Sequence, residues 1–256
     1  MSAPARPGIT VSVVSHGQGP LAQRFLDDLA RLARPEVRHL IVTSNLPEPW
    51  QPRFSVAGVR VEHLVNPRPL GFAANHDQAF KRCTTPLFLI VNPDIRMPAD
   101  PFDAMLTAIE PASTGLVTPL ILSADGVVED FARRLLTLPD LIGRAAGRRR
   151  AEGRPDWVAG MFMLIKSQTF GALGGFDRRF RLYCEDFDLC ARLRLDGQDF
   201  KIVDAASVVH EARRDSHRSL RHLSWHVQSL LKVWLSPTFW RYRALLRRER
   251  SAAGAR

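Results

Sequence analysis

The sequence is short of cysteine and has no long apolar run. Its 256 residues hold three Cys, at positions 83, 184 and 190, an odd number with no CxxC pair. Such usage excludes a disulfide framework and fits a reducing compartment, so a cytoplasmic location is expected. The N-terminus, MSAPARPGITVSVVSHG, has no charged start leading into a long apolar core, and its short apolar run carries Ser12 and Ser15. A secretory signal peptide is therefore not expected. No run approaches the ~20 apolar residues that a membrane-spanning helix requires. The expectation is a soluble protein or one lying on a membrane surface. Acidic residues are also in deficit: 26 Asp and Glu against 36 Lys and Arg give a formal net charge of +10. That balance invites an anionic partner, whether nucleic acid, anionic lipid or a nucleotide substrate. Apolar residues make up 45% of the chain, enough for a sizeable core, and the length suits one large α/β domain better than two small ones.

The first part of the chain reads as β-α-β-β-α-β. Residues Ile9–Ser15 are rich in β-branched side chains, which marks a strand. Leu21, Phe25, Leu29 and Leu32 then recur at helical spacing until Pro35. Strands are predicted at Val37–Asn45 and Val59–Val65, a helix at Gly71–Cys83, and a buried strand at LFLIV, Leu87–Val91. This order argues for an α/β sheet with right-handed crossovers. Beyond it come a short helix capped by Asp100 and a strand, GLVTPLIL. Gly143–Pro155 has no apolar pattern and is rich in Arg and Gly, which reads as a mobile loop. Trp157–Lys166 returns to strand character. GGFDRRFRLYCED is a loop of Gly, aromatic and charged residues. EDFDLCARLRLDG is a helix with acids in its first turn and Gly197 past its end. One or two short strands follow in FKIVDAASVVH. From His217 on, Leu220, Leu223, Val227, Leu230, Leu231 and Trp234 follow helical spacing, Pro237 breaks the pattern, and a second basic segment follows.

Three places could carry chemistry. Asp94 follows a buried strand, where α/β sheets bind ligands, and could hold a divalent cation or a ligand hydroxyl. Asn92-Pro93-Asp94 is equally good turn chemistry. Glu185, Asp186 and Asp188 crowd the start of a helix. They could complement its dipole or supply a general base. His210 ends a strand, where an imidazole can complete a metal site with carboxylates. A lone His is more often packed or solvated.

Taken together, in the order NPD, WVAG, GGFDRRFRLYCEDFDLCARLRLDG and VVH, these segments resemble glycosyltransferase family 2, and its bacterial rhamnosyltransferase-like members most of all. NPRPLGFAANHDQAF is similar to the asparagine-glycine-phenylalanine segment of that family. The resemblance covers about residues 9 to 216 and leaves 217–256 as a basic helical tail. It implies a GT-A fold, a nucleotide-binding mixed sheet flanked by helices. It implies an inverting enzyme that moves a sugar from a nucleotide-sugar donor to a hydroxyl of a glycan or lipid-linked acceptor, in cell-surface polysaccharide assembly. Donor binding would fall to Ser15, His16, Gly17, Gly71, Phe72, Asn75, Asn92 and Asp94. Asp94 and His210 would hold Mg²⁺ or Mn²⁺. Asp186 would be the catalytic base and Glu185 its partner. Two such neighbouring carboxylates raise one another's proton affinity. Trp157, Gly160 and Asp177 would shape the sugar and acceptor pocket.

The sequence departs from the family pattern in three places. Asn92 replaces the first acid of the metal motif. Thr43-Ser44-Asn45 stands where many members have an Asp that contacts the base. Arg178 replaces a Glu after GGFD, and with Arg179 and Arg181 it makes a basic loop that could face phosphate or solvent. The tail fits a helix on an anionic membrane surface, at the inner face of the cell membrane, as well as a helix packed on the core. A nucleotidyltransferase on a similar sheet would want a Gly-rich phosphate loop after the first strand; SHGQGP is a poor one. A nucleic-acid-binding protein would fit the charge, but no nucleic-acid-binding motif appears, so no nucleic acid is expected as a partner.

Overall fold

A computed structural model describes residues 6–145, 154–211 and 220–254. Its centre is an eight-stranded mixed sheet. The strands are β1 (Ile9–Ser15), β2 (Val37–Ser44), β3 (Arg60–Val65), β4 (Leu87–Val91), β5 (Ile95–Arg96), β6 (Thr114–Ser123), β9 (Phe162–Lys166) and β10 (Asp199–His210), in the order β3-β2-β1-β4-β9-β6-β10-β5. A small second sheet pairs β7 (Ala132–Arg133) with β8 (Trp157–Val158). β3, β2, β1 and β4 run parallel, whereas β9 is antiparallel to both β4 and β6. The chain winds outward from β1 to β3 and then returns to place β4 on the other side of β1. The carboxyl ends of β1 and β4 thus flank a topological switch point, the crevice where open α/β sheets bind ligands.

The run LFLIV is apolar throughout because β4 is buried on both faces. Leu87, Leu89 and Val91 join one apolar cluster with Phe25, Leu26 and Leu29 of α1 (Gly19–Leu32) and with Phe102 and Met105 of α3 (Phe102–Ile109). Phe88 and Ile90 join a second cluster on the opposite face. It includes Ala73 and Ala79 of α2 (Phe72–Phe80), Phe170 of α5 (Ser167–Ala172), and Phe187 and Leu189 of α6 (Glu185–Leu195). Each such fully buried Leu or Phe is worth roughly 1.5–3 kcal/mol of transfer free energy, so the sheet edge that carries the site is held from both sides. The N-cap of α3 is Pro101 rather than the expected Asp100, which stands one residue earlier and accepts through Oδ1 from Phe102 N, the first amide of the helix, at 2.9 Å.

Four local expectations change or sharpen. Gly143–Ala145 end a helix, α4 (Leu138–Ala145), whose apolar spacing begins upstream at Leu138; residues 146–153 of the expected loop lie outside the described residues. Trp157–Lys166 is two strands, broken at Ala159–Met161, where the chain passes from the small sheet to the large one. FKIVDAASVVH is a single strand, β10, which absorbs its polar middle in a register shift between Val203 and Ser207. Pro237 does not only break a helix. It opens α8 (Pro237–Gly254), directly after α7 (Leu220–Trp234), at the first helical position, where a missing N–H costs nothing. Phe239, Tyr242 and Leu246 of α8 enter the second cluster beside α6. No helix among the described residues is long and apolar enough to cross a membrane.

Candidate active site

Ser15, at the end of β1, turns its hydroxyl back to accept from Gln18 N at 3.0 Å. Gly17 follows at φ +75°, a conformation that favours glycine. Asn45, just past β2, donates to His16 Nδ1 at 2.9 Å and accepts from Leu70 N at 2.8 Å. Asn66 donates to both Asn45 Oδ1 (2.9 Å) and Asn75 Oδ1 (2.7 Å), and Asn75 donates to the Gly71 carbonyl at 3.0 Å. Asn45, Asn66 and Asn75 are buried, so each polar group needs the partner it has. The side chain of Asn75, expected to line the donor, lies in this network and fixes the Leu70–Phe72 segment. Beneath it, His76 Nδ1 and Ser12 Oγ lie 2.9 Å apart. Burial pushes that imidazole down to about 3, so it is neutral.

The Asn92–Asp94 turn links β4 to β5. Asn92 N donates to the Met161 carbonyl at 2.9 Å, which ties this turn to the break before β9. Asp94 Oδ2 lies 3.4 Å from His210 Nε2, and the other face of that ring donates from Nδ1 to Glu129 Oε2 at 2.9 Å. Burial would depress His210, but the hydrogen bonds and charges of Asp94 and Glu129 outweigh it and push it up to about 9. Asp94 Oδ1 is buried without a hydrogen-bond partner. Among the described residues no three His, Cys, Asp or Glu side chains group into a metal-binding cluster. The donors that are present nonetheless fit a hard divalent cation, provided the ion displaces the Nε2 proton of His210 as it binds. Such ions use one or two carboxylates and complete their shell with water and substrate phosphate. An unsatisfied carboxylate oxygen lies beside an imidazole whose remote nitrogen is held by a second carboxylate, the usual support of a metal-ligating His. Sequence reasoning missed Glu129, which comes from the hairpin after β6.

Glu185 and Asp186 open α6. Tyr183 and Cys184 before them both adopt left-handed backbone, φ 73° and 68°. Each such non-Gly residue costs on the order of 1–3 kcal/mol and persists only where its surroundings enforce it. Asp186 Oδ2 accepts from Gly160 N at 3.1 Å, and Oδ1 accepts from Phe187 N at 2.8 Å. Burial raises the affinity of Asp186 for a proton, and the Arg133 charge and these amides pull it part of the way back. Glu185 is raised well above the carboxylate range by burial and by its neighbour's charge, and its Oε2 has no partner. The arrangement separates the two acids, with the donors gathered on Asp186. Arg133 lies 5.0 Å over the Trp157 ring, and Trp157 donates from Nε1 to the Arg134 carbonyl at 2.7 Å.

Several expected residues meet here. A Cβ on Gly160 would lie 3.3 Å from the Phe72 ring and 3.6 Å from Asp186 Cβ. A Cβ on Gly71 would lie 2.2 Å from the Arg181 carbonyl oxygen, to which Phe72 N donates at 3.1 Å. Gly71 and Phe72 therefore fasten the start of α2 to the loop that precedes the acid pair. The same loop is held at its other end by Asp77, another residue missed by sequence reasoning. Asp77 accepts from Phe176 N (2.9 Å) and from Arg178 Nε (3.0 Å). Arg179 pairs with Asp177, whose carboxyl burial raises and Arg179 brings below the usual range. Two of the three loop arginines thus hold carboxylates of this chain. Asp188 bonds Arg192 at 2.7 Å, one helical turn on, and belongs to the helix itself.

A crevice at the switch point of a mixed α/β sheet, a carboxylate–imidazole corner and an adjoining acid pair are the architecture of a GT-A glycosyltransferase. Residues 59–233 match the model of the family described as glycosyl transferase family 21, and the chain belongs to that family. It is 26% identical over 280 residues to the N-acetylglucosaminyl-diphospho-decaprenol L-rhamnosyltransferase of Mycobacterium tuberculosis, over 93% of this chain and 90% of that one. Rhamnosyltransferase WbbL of Escherichia coli K12 is 38% identical over 78 residues, a stretch that spans only 30% of either protein. Among solved structures, the mannosyltransferase PcManGT from Pyrobaculum calidifontis, in complex with GDP-Man and Mn²⁺, superposes with a TM-score of 0.60 at 16% identity, over 92% of this chain and 68% of that one. GalNAc-T7 with UDP, GalNAc and Mn²⁺ gives 0.61 at 14% identity, over 81% and 44%. The expected fold and enzyme class stand; the matching family model is numbered 21, with rhamnosyltransferases among the relatives.

Proposed function

We propose that the protein inverts the anomeric centre of a sugar, rhamnose by analogy with its relatives, as it moves it from a nucleotide-sugar to a hydroxyl of a lipid-linked glycan in cell-surface polysaccharide assembly. The observation that carries this reading is the Asp186 carboxylate, half-buried at the start of α6 and held by Gly160 N and Phe187 N. Asp186 takes the proton of the acceptor hydroxyl as that oxygen attacks the anomeric carbon. The bond to the nucleoside diphosphate breaks on the opposite face, which inverts the centre. Burial and its neighbour's charge raise Glu185 well above the usual carboxylate range, which favours the negative charge on Asp186. Arg133 stabilises that charge in the ground state.

Ser15, His16 and Gly17 line the donor crevice beside Asn92. Gly71, Phe72 and Asn75 set its wall, and Trp157, Gly160 and Asp177 shape the sugar and acceptor side. Asp94 and His210, with Asn92, would hold Mg²⁺ or Mn²⁺, which would offset charge on the departing diphosphate. We further read residues 1–216 as the transferase body and 217–256 as a basic tail. The tail would place the enzyme peripherally on the inner face of the cell membrane, where a lipid-linked acceptor resides.

The test is transfer from a nucleotide-linked rhamnose to a polyprenyl-diphosphate N-acetylglucosamine. Asp186→Asn should lower turnover by roughly 10²–10⁴-fold, the usual worth of a general base, with nucleotide binding intact. Unchanged turnover in that variant would remove Asp186 from the base role.

A further inference from the structure

Of the nine exposed large apolar side chains among the described residues, five fall on α4, α7 and the start of α8, and a sixth, Leu235, on the link between α7 and α8. Leu138 and Ile142 of α4 are 61% and 67% exposed, and Leu235 after α7 is 83% exposed. Val227, Leu231 and Leu235 follow one another at four-residue spacing, a stripe along one side of α7. The three elements meet at Trp234. Its Nε1 donates to the Leu136 carbonyl just before α4 (2.7 Å), and its own carbonyl accepts from Trp240 Nε1 (2.8 Å). These bonds bring together at one indole the start of α4, the end of α7 and the start of α8, the segments that carry most of the exposed apolar side chains. Exposed apolar patches mark interaction surfaces.

Charge identifies the occupant. Residues 220–254 hold seven basic residues against the single acid Glu249, and Arg241, Arg247 and Arg248 are exposed on α8. A second copy of a chain with net charge +10 would be repelled across this face. An anionic bilayer is attracted to it, and Leu, Ile and Trp beside Arg are the composition of helices that lie in the lipid interface.

The opposite side of α7 is fastened to the loop that aims the acid pair. Ser229 Oγ donates to the Leu182 carbonyl at 3.0 Å, and Lys232 Nζ donates to the Arg179 carbonyl at 2.7 Å. His226 stacks on Tyr183, with ring centroids 3.4 Å apart. Arg181 lies 5.5 Å over Trp225. We propose that α4, α7 and the start of α8 form a docking face for anionic lipid, and that α7, bound to the 179–183 loop, sets the catalytic acids at a fixed depth from the bilayer. This rests on the reading of a lipid-linked acceptor. The surface chemistry does not depend on which sugar is moved.

The experiment is co-sedimentation of the full chain with equimolar phosphatidylglycerol–phosphatidylcholine vesicles and with pure phosphatidylcholine vesicles, and no substrate. The wild type should bind the anionic vesicles, and added salt should weaken binding. Leu231→Ser/Leu235→Ser and Leu138→Ser/Ile142→Ser should each lower the partition coefficient at least tenfold while the thermal midpoint holds. Leu235→Ser alone, at the most exposed site, should lower it measurably and guards against misfolding of the double variants. Wild-type partition in all three variants would overturn the proposal. So would a wild-type dimer that these substitutions dissociate, because the face would then belong to a second copy. Transfer to a soluble acceptor without vesicle binding would sink the docking face and leave the enzymatic reading standing. Vesicle binding without transfer would do the reverse.

Discussion

Gly71→Ala tests whether the start of α2 and the acid pair are mechanically one unit. Gly71 has φ −75° and precedes α2, so its backbone suits any residue. In open space the substitution would be neutral or stabilising by about 0.4–1 kcal/mol through the unfolded chain. It is not in open space. The added Cβ would lie 2.2 Å from the Arg181 oxygen, 3.0 Å from its carbonyl carbon and 3.1 Å from its Cα, all backbone atoms with no rotamer to change. Ordinary contact needs about 3.5 Å, so one strand of chain must move by more than about 1 Å. Overpacking of that kind costs roughly 1–3 kcal/mol. Loss of the hydrogen bond from Phe72 N to Arg181 O adds about 1 kcal/mol. A net destabilisation of about 2–3 kcal/mol is expected in urea unfolding. The kinetic effect should be larger in proportion. Arg181 is four residues from Glu185, and a displacement of about 1 Å at a reacting group costs on the order of 10²-fold. Gly126→Ala is the control: its φ is +77° and nothing lies within 4 Å. It should lose about 1–2 kcal/mol to backbone strain and keep its turnover. If Gly71→Ala kept wild-type turnover while it lost stability, the loop and the acids would be independent and the reasoning would fail.

Asp94→Ala and Glu129→Ala should each weaken Mn²⁺ binding, the first by loss of a ligand and the second by about 10–100-fold through a misoriented His210. Titration calorimetry with nucleoside diphosphate present reads this directly, and equal affinity in wild type and variants would argue against the metal corner. Glu185→Gln should stabilise the enzyme, with a sign set by pH. The folded-state carboxyl is raised above its ordinary 4.5. Its contribution to stability is therefore complete below that value and is lost as pH rises through the folded value. The Gln variant should match wild type in acid and gain on it by about 1.4 kcal/mol per pH unit above 4.5, until the folded carboxyl ionises. Denaturant midpoints measured across pH test this, and a pH-independent difference would refute it.

The elements legible in the sequence were those whose burial imposes a pattern. LFLIV announced a strand covered on both faces, and Leu21, Phe25 and Leu29 announced the helix that covers one of them. NPD, YCED and VVH were ambiguous one by one and became legible as a set only because their order resembles glycosyltransferase family 2. What escaped was long-range. Glu129 reaches His210 from a hairpin 81 residues away, and no local spacing marks it. Asp77 sits within a helix that was read correctly, yet its partners are Phe176 and Arg178, about 100 residues on. Asn75 was read as donor-facing through the family resemblance, and its amide bonds within the chain to the Gly71 carbonyl and to Asn66. The basic loop was legible as charge and opaque as structure, since Asp77 and Asp177 answer Arg178 and Arg179 only once the loop is folded.

The cost of the two left-handed residues before the acid pair explains why that loop is held at so many points. Tyr183 and Cys184 together store on the order of 2–6 kcal/mol of backbone strain. An unsupported loop would relax it, and α6 would then begin with its first turn facing elsewhere. Asp77 holds the loop at Phe176 and Arg178. Phe72 N holds it at Arg181. α7 holds it at Arg179, Leu182 and Tyr183. Hydrogen bonds of about 1 kcal/mol each, net, are individually too weak to keep the strained turn and collectively sufficient. The anchors come from two distant parts of the chain, α2 and the basic tail. The aim of Asp186 is therefore a property of the whole sheet edge together with the tail. A truncation before α7 should cost turnover even with a soluble acceptor that makes no use of a membrane.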